Sequence, residues 1–175
     1  MINFMLADAF FPPSDADKYY AIVSGLNFVK TEYGEEIPNF NLLFPNIEDV
    51  FSKVIGQTCT IDKERSGVFR KPLVSIPHFH GFDSLNEWCF AIALEPTKFS
   101  IFHHLKNGEY GSIDARTALD GYQFNYRNMM EWNINTHIEI STNSAIFWRP
   151  WLFHSFENGL IQYYRILCQN ENTSS

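Results

Sequence analysis

Ala145-Ile-Phe-Trp-Arg-Pro-Trp-Leu-Phe-His154-Ser-Phe-Glu-Asn-Gly159 runs directly into Leu160-Ile-Gln-Tyr-Tyr-Arg165-Ile-Leu-Cys168. Short apolar and aromatic runs, divided by the turn signal Glu157-Asn-Gly159, read as strands at Ala145 to Trp148 and Leu160 to Cys168. His154 sits at the lip of one strand, and Arg165 follows eleven residues later inside the next. That spacing suits a metal ligand and an anion clamp facing each other across a small β-barrel.

Upstream the same pattern of short strands and turns continues. Strands are expected near Cys59 to Lys63, Val68 to Ile76, Glu87 to Leu94, Phe99 to Leu105, Tyr122 to Arg127 and Trp132 to Ile140. Before Thr58 the periodicity is helical. Ser14-Asp-Ala-Asp17, with Tyr19, Ile22, Val23 and Leu26, predicts a capped helix from Ser14 to Gly25. Ile47, Val50, Phe51, Val54 and Ile55 predict a second, starting after Pro45-Asn46 and stopped by Gly56. The segment between them, Thr31 to Leu43, reads as a loop, and the apolar N-terminus as a first strand interrupted by Asp8. About eight antiparallel strands after two helices predict a mainly β jelly roll or related barrel, with the two N-terminal helices packed on one side. An immunoglobulin-type sandwich fits less well, because its Cys…Trp…Cys spacing is missing.

The 175 residues fit a single domain, 1–175, with Asn170 to Ser175 as a frayed tail. Aromatics make up 17% of the chain, enough for a core and a pocket lining. A net charge of −7 without a basic run argues against nucleic acid as a partner. No apolar run approaches the ~18 residues of a membrane span, so no membrane association is expected and the protein is read as cytoplasmic. Cys59, Cys89 and Cys168 lack paired spacing and are expected to be buried, reduced thiols.

The chemistry centres on His78-Phe-His80-Gly-Phe-Asp83. Residues two apart on a strand share a face, so His78 and His80 project together and Phe79 points away. Gly81 frees the backbone to turn and bring Asp83 back beside His80. With His154, this makes two histidines and a carboxylate, a set that holds Fe(II) with positions left open. A guanidinium inside an apolar barrel requires an anion, and strand parity puts Ile161, Tyr163 and Leu167 on the face of Arg165. His103, His104 and His137 read as structural or surface residues, and Trp148 and Trp151 as core.

At these residues the chain resembles the small prolyl-hydroxylase-like members of the 2-oxoglutarate and Fe(II)-dependent oxygenases, part of the wider cupin-like superfamily. The resemblance runs from the opening strand and helix through Trp88 to Leu94 and on to Phe153-His154 and Tyr164-Arg165, with few identities. It implies a double-stranded β-helix and a dioxygenase that couples oxidation of 2-oxoglutarate to hydroxylation of a substrate. It implies iron ligands at His80 and His154 and a 2-oxoglutarate contact at Arg165. Asp83 is read as the third ligand, although Phe82 stands at the family's carboxylate position, and Tyr163, on the face of Arg165, as a further 2-oxoglutarate contact. The family's His-x-Asp is here His80-Gly-Phe-Asp83, one residue longer, and Leu167 stands where the family often has a hydroxyl residue.

The same residues also look like a cupin, in which His78, His80 and His154 hold the metal, with Glu87 as a further candidate. A non-catalytic jelly-roll binding module is the third reading. The substrate, small molecule or peptide, is not legible. The loop from Lys106 to Gly121 and the segment from Thr31 to Leu43 are long enough to act as a lid.

Overall fold

The computed structural model describes residues 3–31, 34–37, 46–72, 76–80, 84–105 and 128–169. In chain order the elements are β1 (Phe4–Ala7), α1 (Pro13–Ser24), β2 (Val29–Thr31), β3 (Gly34–Glu36), α2 (Ile47–Ile55), β4 (Cys59–Ile61), β5 (Val68–Pro72), β6 (Glu87–Ala93), β7 (Thr97–His104), β8 (Trp132–Ile140), β9 (Ala145–Trp148), β10 (His154–Glu157) and β11 (Ile161–Cys168). Among the described residues they form two antiparallel sheets. The larger runs β1-β9-β6-β11-β5-β3-β2, with β4 pairing the far end of β11, and the smaller runs β10-β7-β8.

Every residue of β6 is buried, which is unusual for an antiparallel strand. The larger sheet is covered on both faces. Trp88, Phe90 and Ile92 point to one side, where Phe147 and Tyr164 meet Tyr19 and Val23 of α1 and Phe51 of α2. The Phe51 ring lies 4.5 Å from that of Phe90 and 5.9 Å from that of Phe147. Cys89, Ala91 and Ala93 point to the other side. There Trp148, Ile161 and Tyr163 meet Phe99, Ile101 and Phe156 of the smaller sheet. The small residues of β6 leave room between the sheets.

Pro13, at the first helical position, starts α1 with φ already set, and no side chain caps it. The expected Ser14 cap is therefore replaced by proline. Gly56 closes α2 in a left-handed turn at φ 76° and donates its amide to the Ser52 carbonyl. The β2–β3 hairpin occupies part of what reads as a loop, since Val-Lys-Thr and Gly-Glu-Glu carry little hydrophobic alternation. Strand β10 is likewise absent from the sequence reading, because its four residues run straight on from the proline-rich turn. The expected strand at Tyr122 to Arg127 and the loop from Lys106 to Gly121 lie outside the described residues, as does the tail 170–175.

The three thiols are free and buried. Cys59 and Cys168 face each other across β4 and β11, with 3.0 Å between the sulfurs.

Asn158 and Gly159, both at positive φ (62° and 72°), turn the chain from β10 in one sheet to β11 in the other. A Cβ on Gly159 would overlap the Pro96 carbonyl oxygen. Gly159→Ala is therefore expected to destabilise the fold by about 2–4 kcal/mol, from strained φ and steric overlap together, as read by urea denaturation.

Candidate metal centre

The site lies between the sheets, on the side away from the helices. Residues 76–80 cross the gap as a short strap. The His78 amide donates to the His154 carbonyl (3.0 Å), the His154 amide donates back to the His78 carbonyl (2.8 Å), and the His80 amide donates to the Pro150 carbonyl (2.9 Å). Directly opposed residues of an antiparallel pair share a face, so His78 and His154 point the same way. Alternation adds His80 to that face. Phe79 points out of the cluster and packs on Phe153, with ring centroids 5.6 Å apart.

The result is three imidazoles with ligand nitrogens all within 4.8 Å of one another. His154 is fully buried, and His78 and His80 are half-buried. A carbonyl only accepts, so His78 Nδ1 must donate to Ile76 O (3.0 Å) and His154 Nδ1 to Leu152 O (2.8 Å). In the neutral rings this leaves the Nε2 lone pairs for the site. His154 Nε2 is buried and has no hydrogen-bond partner. A carbonyl on one ring nitrogen and a bare lone pair on the other is the arrangement that orients a metal-ligating histidine. The residues fit a divalent transition metal.

Charge points the same way. Burial, then the neighbouring His154, His78, Arg165 and Arg70, hold the His80 pKa well below its ordinary value. Burial, then His78, does the same for His154, partly offset by the Leu152 carbonyl, and burial lowers His78 more mildly. All three are neutral, ligand-ready bases at pH 7.

A cavity of about 60 Å³ adjoins the histidines, lined also by Arg70, Trp148, Ile161 and Tyr163. An ordered water needs ~10–15 Å³, so there is room for several waters or part of a small ligand. Aromatic side chains crowd the interior, with Trp148 4.9 Å from His154 between ring centroids, but they do not fill it.

The sequence-derived candidates divide. His80, His154 and His78 come together, and Tyr163 lines the cavity. Asp83 lies outside the described residues. Arg165 shares the interior face as parity requires, but its anion is internal. It is 1% exposed, and its Nε donates to Glu87 Oε2 (2.8 Å), to which Nη2 also donates, while Nη1 donates to Cys89 Sγ (3.2 Å). Glu87, the further cupin candidate, is thus committed to Arg165 and to the Ser84 amide (2.8 Å) rather than to the histidines. Burial opposes the Arg165 charge, but Cys89, Tyr163 and Glu87 outweigh it and the pKa is raised. Leu167, expected on that face, is 37% exposed. The register still pairs it with Glu87 on the face of Arg165, so its exposure reflects thinner cover at that end of β11. His137 bonds Ser100 (2.8 Å) and His104 packs on Trp132 (4.7 Å), both structural roles. Trp151 is buried, and Trp148 is both core and cavity wall. Arg70 was not legible as a site residue, since only the pairing of β5 with β11 brings it there.

No family model matches the sequence, and no curated protein matches it significantly. Solved structures do match in fold. HygX from Streptomyces hygroscopicus, determined with nickel, 2-oxoglutarate and hygromycin B bound, superposes with a TM-score of 0.60 at 8% identity, over 95% of this chain and 83% of that one. The non-heme alpha ketoglutarate dependent epimerase SnoN from nogalamycin biosynthesis gives 0.59 at 8% identity, over 95% and 78%. AviO1 from Streptomyces viridochromogenes Tue57 gives 0.53 at 8%, over 99% and 91%. The chain has the fold of non-heme 2-oxoglutarate enzymes. At such identities the likeness is one of fold, and it agrees with the jelly roll expected from the strand pattern. No helix among the described residues is long and apolar enough to cross a membrane.

Two outcomes test this centre. The histidines have folded pKa values below their unfolded ones, so the unfolded chain binds more protons and metal-free stability falls as pH drops below about 6.5. His154→Leu is expected to flatten that dependence by up to ~1.4 kcal/mol per pH unit, as read by denaturation between pH 7 and 5. Glu87→Ala leaves Arg165 charged and buried without its carboxylate and is expected to destabilise the protein by about 3–5 kcal/mol in the same assay.

Proposed function

We propose that the protein is a metal-dependent oxidoreductase in which His78, His80 and His154 hold Fe(II) and 2-oxoglutarate is the co-substrate. The observation that carries the reading is the convergence of three ligand-ready nitrogens at the mouth of a cavity, one of them buried and unpartnered. The fold shared with enzymes solved with 2-oxoglutarate supports the choice of co-substrate. Bound Fe(II) would supply redox coupling of O₂ to oxidative decarboxylation of 2-oxoglutarate, giving succinate and CO₂, with hydroxylation of a substrate C–H bond as the default outcome.

The chain's own part is positional. The Ile76 and Leu152 carbonyls fix two rings so that their Nε2 lone pairs face the site. Trp148, Phe156 and Ile161 exclude water from its inner wall. Three neutral imidazoles bring no negative charge, so the site favours an anionic co-ligand over a neutral one. Asp83 stays a proposed further ligand, reached through Gly81.

A second reading, a cupin-type metalloprotein without 2-oxoglutarate, draws on one observation. The third histidine is in the cluster, and Arg165, which the family resemblance assigns to the co-substrate, is tied to Glu87.

Adding Fe(II) and 2-oxoglutarate without oxygen is expected to give the visible charge-transfer band of a metal-bound 2-oxo acid. His80→Ala and His154→Ala are expected to abolish it. Bound metal without the band moves the assignment to the cupin reading, and no bound metal at all leaves a binding module.

A further inference from the structure

With Arg165 engaged by Glu87, another cation has to receive any acid that enters the cavity. Arg70 on β5 pairs with Ile161, and Val68 with Tyr163, so Arg70 projects from the larger sheet on the same face as Ile161 and Tyr163. It lines the cavity together with the three histidines, whereas Arg165 is not among the lining residues. Its guanidinium carbon stands 5.5 Å from the centre of the Tyr163 ring, a cation–π contact at the cavity wall.

Its existing anion partner is weak. Glu36 Oε2 lies 3.6 Å from Nε, beyond hydrogen-bond reach, and the side chains are 42% and 37% exposed. Nε itself is buried and has no hydrogen-bond partner. The two arginines of this face therefore divide two roles. Arg165 is a structural cation, neutralised within the fold, and Arg70 is a cation with unused donors at a cavity wall.

We propose that Arg70 binds the far carboxylate of a small dicarboxylic 2-oxo acid whose other end meets the histidine cluster. This rests on the metal-site reading above and moves the anion contact from β11 to β5.

The test uses the full chain loaded with Ni(II), which holds the ligand without turnover. Dissociation constants are measured by calorimetry for 2-oxoglutarate and for 2-oxopentanoate, which has the same carbon chain without the far carboxylate. The wild type is expected to prefer 2-oxoglutarate by roughly 10- to 100-fold, the range for a charge-assisted pair. Arg70→Gln is expected to remove that preference while metal content and melting temperature stay unchanged, since the side chain is nearly half exposed. A preference that survives in Arg70→Gln overturns the assignment to Arg70 and leaves the function standing. Equal binding of both acids by the wild type overturns it as well, because the pocket then has no far-carboxylate contact. Metal-loaded wild type that binds neither acid overturns the 2-oxoglutarate function itself.

Discussion

Two backbone hydrogen bonds between His78 and His154 hold the centre together. They join the strap at 76–80 to the first residue of β10, and the geometry of an opposed antiparallel pair then puts both imidazoles on one side. Alternation along the strap brings His80 to the same side, and Phe79 on Phe153 locks the strap against rotation. The orientation of the three imidazoles follows from main-chain pairing rather than from contacts between the rings.

Around that pair the interior is arranged by charge. The larger sheet carries two arginines on its inner face, one of them answered by a fully buried carboxylate. Glu87 and Arg165 are both almost without solvent contact, so neither tolerates the loss of the other. The pair leaves a locally neutral floor, and the histidines above it stay uncharged because burial and nearby cations both oppose their protonation.

Much of this was legible in the residues. Alternation and turn chemistry located β6, β8, β9 and β11 to within a few residues, and the i, i+2 spacing of His78 and His80 put them on one face. The second helix was readable from both its apolar stripe and its terminal glycine. Long-range pairing was not readable. Nothing local to Glu87 says that its carboxylate meets Arg165 seventy-eight residues away, and nothing local to Arg70 says that β5 lies beside β11. Desolvation requires an anion for Arg165, and the fold supplies it from β6 rather than from a bound ligand. The β2–β3 hairpin escaped for a different reason, because its residues carry no apolar alternation and owe their pairing to β5.

The turn at Asn158 and Gly159 has a mechanical side. It sends β10 into the smaller sheet and β11 into the larger, so His154 travels with one sheet while Tyr163 and Arg70 travel with the other. The cavity straddles the seam between two bodies that touch through Phe99, Trp148 and Phe156. A shift of one sheet on the other would change the span from His154 to the Arg70 guanidinium. The span of the site is therefore set by the packing of Phe99 and Phe156 on Trp148 at that seam.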